Sequence, residues 1–538
     1  MSQNTSNYIS AIPAPPRLGQ GTSLPLELIV DVLSRLDCKS LSICTQVCKL
    51  FNTLINNTAS LRLIIELYAA GQQDNFVDPP HGVGLTPSDR LDALKRHQIA
   101  WEELIWVTEQ RLPMLDGGLW ELYGGVLAQN SPNGEIVFRQ LPSEIRSIEE
   151  RDWTIGGFDF IVRDFGMDPS QDLLVLVEDP KWSGGHSDHT YRFHLRTMST
   201  GADHPLALQP VICHIQEKPN LQVSYAIQIS TEFLGIFLIS AEEENELFIW
   251  EWKTGVIESA IVGDEIRSFT FLNDEFIILA LLTGTDSYES DNEAVEPVIA
   301  IVNFREEPKE LRSVQGIKHI FFFRFPTLHA GIIPIRFEIR SDPSPGWTPN
   351  SNIRVPFFTA QYNRLYVVSL WLLVGSRMRC VMLFAPSATF LARIQKDMPE
   401  DRIYEWSAWG PRGTRILLPR TPPSDIWVCY VNGSRYVTLR KDKKQFALDV
   451  YNFNHRGVLR SLNLAGDTDI KSKCVTDARL PEGGTIFQST VETSLPYRIQ
   501  TLLLGLKSIM NIAVVCSEDN IIIVDTHVDR NEYRILTF

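Results

Sequence analysis

The chain has 538 residues, of which 44% are hydrophobic and 21% are charged, which is the composition of a folded protein. A chain of this length is too long for one hydrophobic core, so several domains or a repeat architecture are expected. Its formal net charge of -15 argues against a nucleic-acid-binding surface, because such a surface needs clustered lysine and arginine.

Cysteine spacing and the apolar runs indicate where the protein works. The eight cysteines include no Cys-x-x-Cys pair, which is typical of reduced, buried cysteines in an intracellular protein. The N-terminus has no basic segment followed by an apolar run, so a secretory signal is not predicted. The longest apolar run, residues 365–375, is shorter than the roughly 20 residues that a helix needs to cross a bilayer. We therefore expect a protein of the cytoplasm or nucleus that binds neither membrane nor nucleic acid.

The chain begins with a polar leader and then a helical segment. Residues 1–22 are rich in proline and glycine and are predicted to be disordered. Residues 23–70 contain three apolar runs at helical spacing, and each is predicted to form one helix. The second runs from Leu41 to Leu54 and can be capped by Asp37 or Ser40. Fewer than about 50 residues can hardly enclose a core of their own, so part of this apolar surface should be covered by another surface.

The order of residues in this helical segment resembles the F-box pattern. The match consists of Leu24-Pro25-x-Glu27, then Ile29, Leu33, Leu36 and Leu41, and finally Val47-Cys48-Lys49-x-Phe51. F-box proteins are substrate receptors of cullin-RING ubiquitin ligases, which they join through the Skp adaptor. The resemblance implies that the docking face for the adaptor is formed or supported by Leu24, Pro25, Leu28, Ile29, Val32, Leu33, Leu36, Leu41, Cys44, Val47 and Phe51. An ordinary helical subdomain packed on its own protein is the alternative.

Residues 71–115 are expected to connect this F-box to the rest of the chain. Thr86-Pro87-Ser88-Asp89 supplies an N-cap, a first-turn proline and a capping-box acid, and it predicts a helix from Pro87 to about Gln110. Trp101 and Trp106 are too large to leave exposed on a linker, so they should pack against the first helices or the first unit of the next domain. A flexible tether through residues 71–84 is the alternative.

From residue 119 onward, the hydrophobic period is two, and strand-like runs alternate with turns over about 400 residues. A β-propeller accommodates so many strands by radial repetition, at roughly 40 to 60 residues per blade. The run Leu247 to Gly255 resembles a strand of a WD-like blade. We predict that residues 116–538 form a large all-β domain, most simply a β-propeller of about seven blades. The predicted units begin near Phe158, Tyr225, Ile266, Val355, Tyr404, Phe446 and Ile509.

Outside the F-box, the chain is similar to a lineage of fungal F-box proteins with a β-rich C-terminal half. The similarity is carried by Ile65-Glu66-Leu67-x-Ala69-Ala70-Gly71, Arg90-Leu91 with Trp101, Trp120-Glu121-Leu122, and residues 162–174. It does not identify a target protein.

Candidate catalytic and metal-binding residues are few. His186, His189 and His194 are close in sequence, but without a cysteine partner they are better interpreted as part of a solvent loop. The acidic run Glu242 to Glu244 is most simply the tip of a hairpin. We therefore expect no catalytic residue, no metal and no cofactor. A propeller enzyme would need convergent carboxylates or a metal at its central channel, and no spacing in this sequence indicates them.

The leading hypothesis is a substrate-recognition subunit of a Skp-cullin-F-box ubiquitin ligase, in which the F-box docks the Skp adaptor and the β domain binds a target protein. The alternative is a scaffold or inhibitor that binds the adaptor without delivering a substrate.

Overall fold

A computed structural model describes most of the chain. Among the described residues, no helix is long and apolar enough to span a membrane. The described residues are 24–75, 84–180, 182–183, 186–187, 190–216, 223–241, 244–284, 295–307, 309–318, 320–350, 352–394, 402–419, 421, 423–424, 429–442, 445–464, 472–478, 486–504, 511–526 and 531–538. The predicted leader, residues 1–22, lies outside them.

Four short helices form the N-terminal domain: α1 (Leu26–Ser34), α2 (Cys38–Val47), α3 (Lys49–Asn57) and α4 (Ala59–Ala70). Asp37 caps α2 by accepting a hydrogen bond from the Ser40 amide at 2.7 Å. The prediction of one helix across residues 41–54 was wrong, because Cys48 has an extended backbone and separates α2 from α3. The Cys48 thiol accepts a hydrogen bond from the Phe51 amide and so caps α3.

The next helix, α5 (Pro87–Glu103), begins at the predicted capping box, with both reciprocal hydrogen bonds between Thr86 and Asp89 present. The prediction that this helix continues to Gln110 was wrong. Leu104 has a left-handed backbone, with φ 51°, and Gln110 belongs to the strand Thr108–Pro113. That strand pairs with the last strand of the chain, so the all-β part includes residues that the sequence assigns to the connecting segment.

The β-rich part is a propeller of seven blades, as predicted. Sequential antiparallel strands build most blades, with the inner strand first. The strands are Trp120–Tyr123, Val126–Asn130, Ile136–Gln140 and Arg151–Ile155 in blade 1; Val162–Asp168, Leu173–Glu178, Thr190–Thr197 and Val211–Ile215 in blade 2; Val223–Ser230, Phe233–Ser240, Glu246–Glu251 and Val256–Val262 in blade 3; Ile266–Phe271, Phe276–Thr283, Glu296–Asn303 and Ile320–Arg324 in blade 4; Ile332–Arg340, Leu365–Val374, Arg377–Pro386 and Arg415–Leu417 in blade 5; Val431–Asn432, Arg435–Asp442, Gln445–Asn452, Tyr497–Leu503 and the outer Ser472–Val475 in blade 6; and Asn511–Cys516, Asn520–Thr526, Asn531–Thr537 and the N-terminal Thr108–Pro113 in blade 7.

Smaller elements complete the described structure. Short strands Arg312–Ser313 and Arg402–Tyr404 run parallel to the edges of blades 3 and 4, and Trp182–Ser183 pairs with His186–Ser187. The insertions within blades 5 and 6 are helical: α6 (Ser387–Leu391), α7 (Trp406–Gly413) and α8 (His455–Leu464). Three-residue 3-10 helices lie at Pro169–Gln171, Val314–Gly316 and Gln361–Asn363.

The predicted blade number is right, but four of the assignments are wrong. One of them is Phe446, which lies in the third strand of blade 6, whereas that blade begins at Val431. The unit predicted near Tyr404 is an edge strand of blade 4 followed by a helix, and the first blade, residues 120–155, was not among the predicted units. Blade 5 begins at Ile332 and not near Val355. Helical insertions in blades 5 and 6 shift the spacing of their strands, which is why a regular period misplaces the boundaries.

The F-box lies against one face of the propeller, here called the F-box face. The turns that follow the inner strands define it, including Gly124–Gly125, Gly433–Ser434 and residues 517–519. Trp101 of α5 donates from its indole nitrogen to the Glu518 carbonyl at 3.1 Å, which places α5 on this face. The opposite face, at which the inner strands begin, is called the distal face.

A long connection in blade 5 crosses the F-box face; it is called the crossing segment and comprises residues 341–350 and 352–359. It contacts three of the other blades: the Ser344 amide donates to the Tyr123 hydroxyl at 3.1 Å, the Ser230 hydroxyl donates to the Pro345 carbonyl at 2.9 Å, and the Asn350 amide group donates to the Pro169 carbonyl at 2.9 Å. Its last residues, Phe357–Thr359, pair with the strand Gln72–Asp74 that follows α4. The segment therefore covers the central channel at the F-box face and joins the ring to the F-box.

Candidate functional site

The predicted adaptor-docking residues divide into a core and a surface. Leu33 and Leu41 are fully buried and form a small core with Ile55 and Leu61. The half-buried residues packed against this core include Ile29, Leu36, Cys44 and Phe51. These predicted residues support the domain from inside, because apolar spacing marks the face of a helix that its own domain buries.

The surface residues are apolar side chains that the domain leaves uncovered. Leu24, Leu28, Val32 and Val47 are 61%, 51%, 59% and 64% exposed, and Pro25 is exposed beside them. Leu28 and Val32 are four residues apart and lie along one side of α1, and Leu24 immediately precedes the Pro25 cap of that helix. A cluster of exposed apolar side chains on a small domain is typical of a protein-binding surface.

Ile43 belongs to this surface and was missed by the sequence analysis. It lies on α2 and is 57% exposed. The family motif does not include this position, and the residue falls outside the apolar stripe that Leu41 and Cys44 follow. The available signal was an isoleucine on the otherwise polar side of a short helix.

The F-box and the propeller share one hydrophobic core. Leu63 and Leu67 of α4 and Leu91 and Leu94 of α5 pack in the same cluster as side chains from blades 5, 6 and 7. Among the propeller residues in that cluster are Val367, Val437, Leu448, Val450, Ile521 and Phe538. A continuous core of this kind makes the joint rigid, because separating the two parts would expose apolar area on both.

Trp101 is the largest side chain of α5 in this joint. Its ring stacks on Phe538 with centroids 4.4 Å apart, and the Arg435 guanidinium lies 4.2 Å from its ring centroid. The expectation that the tryptophans pack is confirmed, since Trp101 is buried and Trp106 is packed against the same core. Of the two expected partners, the first helices share the cluster of Trp101 through Leu63 and Leu67 of α4, but the blade that Trp101 contacts is the last and not the first.

A buried ionic network joins α5 and the crossing segment to blade 7. The Arg146 guanidinium donates to the Phe357 carbonyl at 2.7 Å and to the Asp519 carboxylate at 2.6 Å, and His97 lies 3.3 Å from the same carboxylate. Burial by itself raises the pKa of Asp519, but Arg146 and His97 lower it to about 2. Burial lowers the pKa of His97, although the Asp519 carboxylate opposes this shift.

The central channel holds a group of carboxyls that the sequence did not reveal. A cavity of about 210 Å³ is lined by Glu121 of blade 1, Asp164 of blade 2 and Asp342 of the crossing segment, with Arg340 and Cys429 beside them. Burial raises the pKa of Glu121 to about 8, of Asp342 to about 7 and of Asp164 to about 6. No spacing in the sequence indicates these carboxyls, because the ring brings together residues far apart in sequence.

No metal centre accompanies these carboxyls. Within the described part of the chain, no group of three histidine, cysteine, aspartate or glutamate side chains is arranged to hold a metal ion. The interpretation of His194 as a loop residue was wrong: it is buried in blade 2, and its imidazole lies 2.8 Å from Glu178 and stacks on Phe160. The side chains of His186 and His189, like Glu242 and Glu243, lie outside the described residues.

Comparisons with known proteins agree with the N-terminal part of this description. The F-box-like family model matches residues 22–62, so the chain carries an F-box-like domain. No curated protein matches the chain.

The solved structures that the chain matches resemble it only distantly. The WD40 domain of SCAP from fission yeast aligns with 80% of this chain and 98% of its own length, at 8% identity and a TM-score of 0.36. Extracellular domains 1-2 of Drosophila Semaphorin 1b align with 79% of this chain and 86% of their own length, at 10% identity and a TM-score of 0.36. Kluyveromyces lactis Hsv2 aligns with 62% of this chain and 92% of its own length, at 9% identity and a TM-score of 0.28.

Proposed function

We propose that the protein is the substrate-recognition subunit of a Skp-cullin-F-box ubiquitin ligase. The observation that supports this most directly is an F-box-like domain whose apolar side chains Leu24, Leu28 and Val32 stay exposed although the domain is firmly packed on a propeller. A helical subdomain that served only its own propeller would bury those side chains. In this proposal the ligase assembly supplies the chemistry, and the chain belongs to the fungal F-box lineage and works inside the cell.

The docking face of the adaptor is proposed to consist of Leu24, Pro25, Leu28, Val32 and Val47, with Ile43 added from the structure. The remaining predicted residues, Ile29, Leu33, Leu36, Leu41, Cys44 and Phe51, hold these side chains in place from the core. Shortening the side chains of the surface set and of the core set should therefore have different effects. Changes to the surface set weaken adaptor binding, whereas changes to the core set unfold the F-box.

The target protein is proposed to bind the distal face. On the F-box face, α4 and α5 cover blades 5, 6 and 7, and the crossing segment covers the channel. At the distal ends of strands in several blades, large apolar side chains are exposed, including Ile161, Ile215, Ile333, Met378 and Leu503. Scattered exposed apolar residues are common on protein surfaces. The residues named here lie opposite the F-box, so a target bound to them would not collide with the adaptor.

Co-purification tests the proposal. The wild-type chain should isolate the Skp adaptor and a cullin from cells, and the double variant Leu28→Asp/Val32→Asp should lose both while keeping the unfolding temperature of the propeller. Absence of the adaptor from wild-type isolates would refute the proposal.

The alternative, an adaptor-binding scaffold or inhibitor, differs in what happens to bound proteins. Proteasome inhibition should increase at least one protein bound by wild type, relative to the adaptor-blind variant, if the chain delivers substrates. If the adaptor binds and no bound protein accumulates, the scaffold is the correct assignment.

Acid–base chemistry in the channel is a second candidate function, favoured by one observation. Near pH 7, a Glu121 carboxyl with a pKa of about 8 is protonated, and an Asp164 carboxyl with a pKa of about 6 is mostly ionised, so one cavity holds an acid and a base. Chromogenic glycosides and a polyuronate are suitable probes, since propeller glycosidases and lyases use such groups. Turnover that Glu121→Gln abolishes would support this function, and its absence with all probes would leave the receptor as the proposal.

A further inference from the structure

Helix α8 is an insertion in blade 6 that leaves the propeller and packs on the F-box. It follows the strand Gln445–Asn452 and contacts α4. The Asn454 side-chain amide, just before α8, donates to the Ala69 carbonyl at the end of α4 at 2.7 Å. Gly457 lies close to the same carbonyl, 3.8 Å from where a side-chain β-carbon would be. This close approach brings the first turn of α8 onto the end of α4.

An ion pair joins the two helices further along. Glu66 of α4 is only 6% exposed, and both of its carboxylate oxygens accept hydrogen bonds from the Arg460 guanidinium of α8, one of them at 2.9 Å. A buried carboxylate is costly unless it is paired, and a bidentate arginine fixes direction as well as distance. This pair therefore restricts rotation of α4 relative to blade 6.

Arg456 makes a second link of a different kind. Its guanidinium lies 3.7 Å from the ring centroid of Tyr68 in α4 and 4.8 Å from that of Tyr362 in blade 5, and the two rings are 5.6 Å apart. One cation thus contacts an aromatic ring of the F-box and one of the propeller. Such contacts depend on the orientation of the cation over the ring.

Besides α8, the F-box is held by the strand Gln72–Asp74 paired with Phe357–Thr359, by α5 stacked on blade 7 through Trp101, and by the apolar side chains of α4 in the shared core. Apolar packing is not directional. The bidentate ion pair and the cation–π contact of α8 depend on orientation, so α8 adds an orientational restraint between the F-box and blade 6.

We propose that Arg456 and Arg460 are positioning residues, which fix the orientation of the F-box so that a ligase bound there reaches only a restricted set of lysines. This inference rests on the proposed function for its consequence, but the orientation itself can be measured separately. It predicts that loosening α8 changes which lysines are modified and leaves the affinity for the adaptor unchanged.

The functional experiment uses the assembled ligase. The lysines of this chain serve as ubiquitin acceptors, and the modified lysines are identified by mass spectrometry. Wild type is compared with Arg456→Ala/Arg460→Ala and with the control Arg324→Ala, since Arg324 and Arg460 are both 47% exposed and ion-paired. In the ligase assembled with the double variant, at least twice as many lysines should be modified as with wild type. The Kd for the adaptor should stay within about twofold of the wild-type value. An unchanged set of lysines would refute the proposal.

The orientation experiment needs no ligase. Spin labels on the exposed Cys48 of the F-box and the exposed Cys213 of blade 2 report the distance between the two parts by dipolar spectroscopy. The distribution of label-to-label distances should be narrow in wild type and at least twice as broad in the double variant. If the double variant does not fold, Arg460→Lys is measured in its place. Equal widths would refute the positioning role, whereas broadening without adaptor binding would refute only the proposed function.

Discussion

The indole ring of Trp101 stacks on the phenyl ring of Phe538, the last residue of the chain, with an angle of 18° between their planes. This contact joins the helix that follows the F-box to the final strand of the propeller. The adjoining strand Thr108–Pro113 pairs with Asn531–Thr537 over six residues, so the N-terminal part of the chain also closes the ring. Attachment of the F-box and closure of the propeller are therefore physically coupled.

Truncation of Trp101 should destabilise the whole protein. Trp101→Ala removes a buried ring, its stacking on Phe538 and its hydrogen bond to the Glu518 carbonyl. We expect a loss of about 3 to 5 kcal/mol in the free energy of unfolding, measured by urea denaturation. Trp106→Ala is the control, because Trp106 is only half-buried and should cost less. Equal losses in the two variants would contradict this account of the joint.

The exposed residues of the F-box should affect binding without affecting folding. Leu24→Ala/Leu28→Ala removes side chains that are more than half exposed, so the unfolding free energy should change by less than about 0.5 kcal/mol. Each leucine buried in a complex contributes about 1.5 to 3 kcal/mol, so adaptor affinity, measured by calorimetry, should fall tenfold or more.

Leu33→Ala is the matched variant for this test, since Leu33 belongs to the same helix but is buried. It should cost about 2 to 5 kcal/mol in F-box stability, seen as early loss of helical signal on heating. Unchanged adaptor affinity in Leu24→Ala/Leu28→Ala would show that the adaptor docks elsewhere.

Local sequence predicted the F-box because its signals are contiguous. Apolar spacing, the cap at Asp37 and the Leu24-Pro25 start all act within one or two turns of helix. The break at Cys48 was not predictable, since the apolar period continues through it and no glycine or proline marks it. The end of α5 at Leu104 was not predictable either, because a leucine in the sequence does not indicate a left-handed backbone.

Long-range features escaped the sequence analysis. The strand Thr108–Pro113 has polar and charged residues on an outer edge, so it lacks the alternation that marks a half-buried strand. The channel carboxyls Glu121, Asp164 and Asp342 meet only when the ring closes, because they come from different blades. Helix α7 contains Gly410 and Pro411, a pair that locally favours a turn. In each case, tertiary contacts outweighed local preference.

Ionisation of Glu121 should make the protein less stable at high pH. The usual pKa of a glutamate carboxyl is near 4, and burial raises the pKa of Glu121 in the folded protein to about 8. Between these two values, the folded state keeps a proton that the unfolded state loses. The stability contributed by the protonated group is therefore lost as pH increases from 4 to 8. Glu121→Gln removes this ionisation. Relative to wild type, the variant should gain roughly 4 kcal/mol in unfolding free energy between pH 5 and pH 9, measured by urea denaturation. Asp179→Asn, which changes a carboxyl that is 39% exposed, is the control, and an equal gain there would contradict the assignment to Glu121.

The N-terminal strand should be required for a closed propeller. A fragment of residues 116–538 lacks Thr108–Pro113 and α5, so it exposes the edge of the strand Asn531–Thr537 and uncovers Phe538. Unpaired strand edges promote association, and the uncovered apolar area lowers stability. A fragment of residues 58–538 is the control, because it removes α1 to α3 but keeps α4, α5 and the closing strand. By light scattering and calorimetry, the longer fragment should be monomeric and unfold near the wild-type temperature, and the shorter one should aggregate or unfold at least about 10 °C lower. A monomeric 116–538 fragment with the unfolding temperature of the control would show that the ring closes without the N-terminal strand.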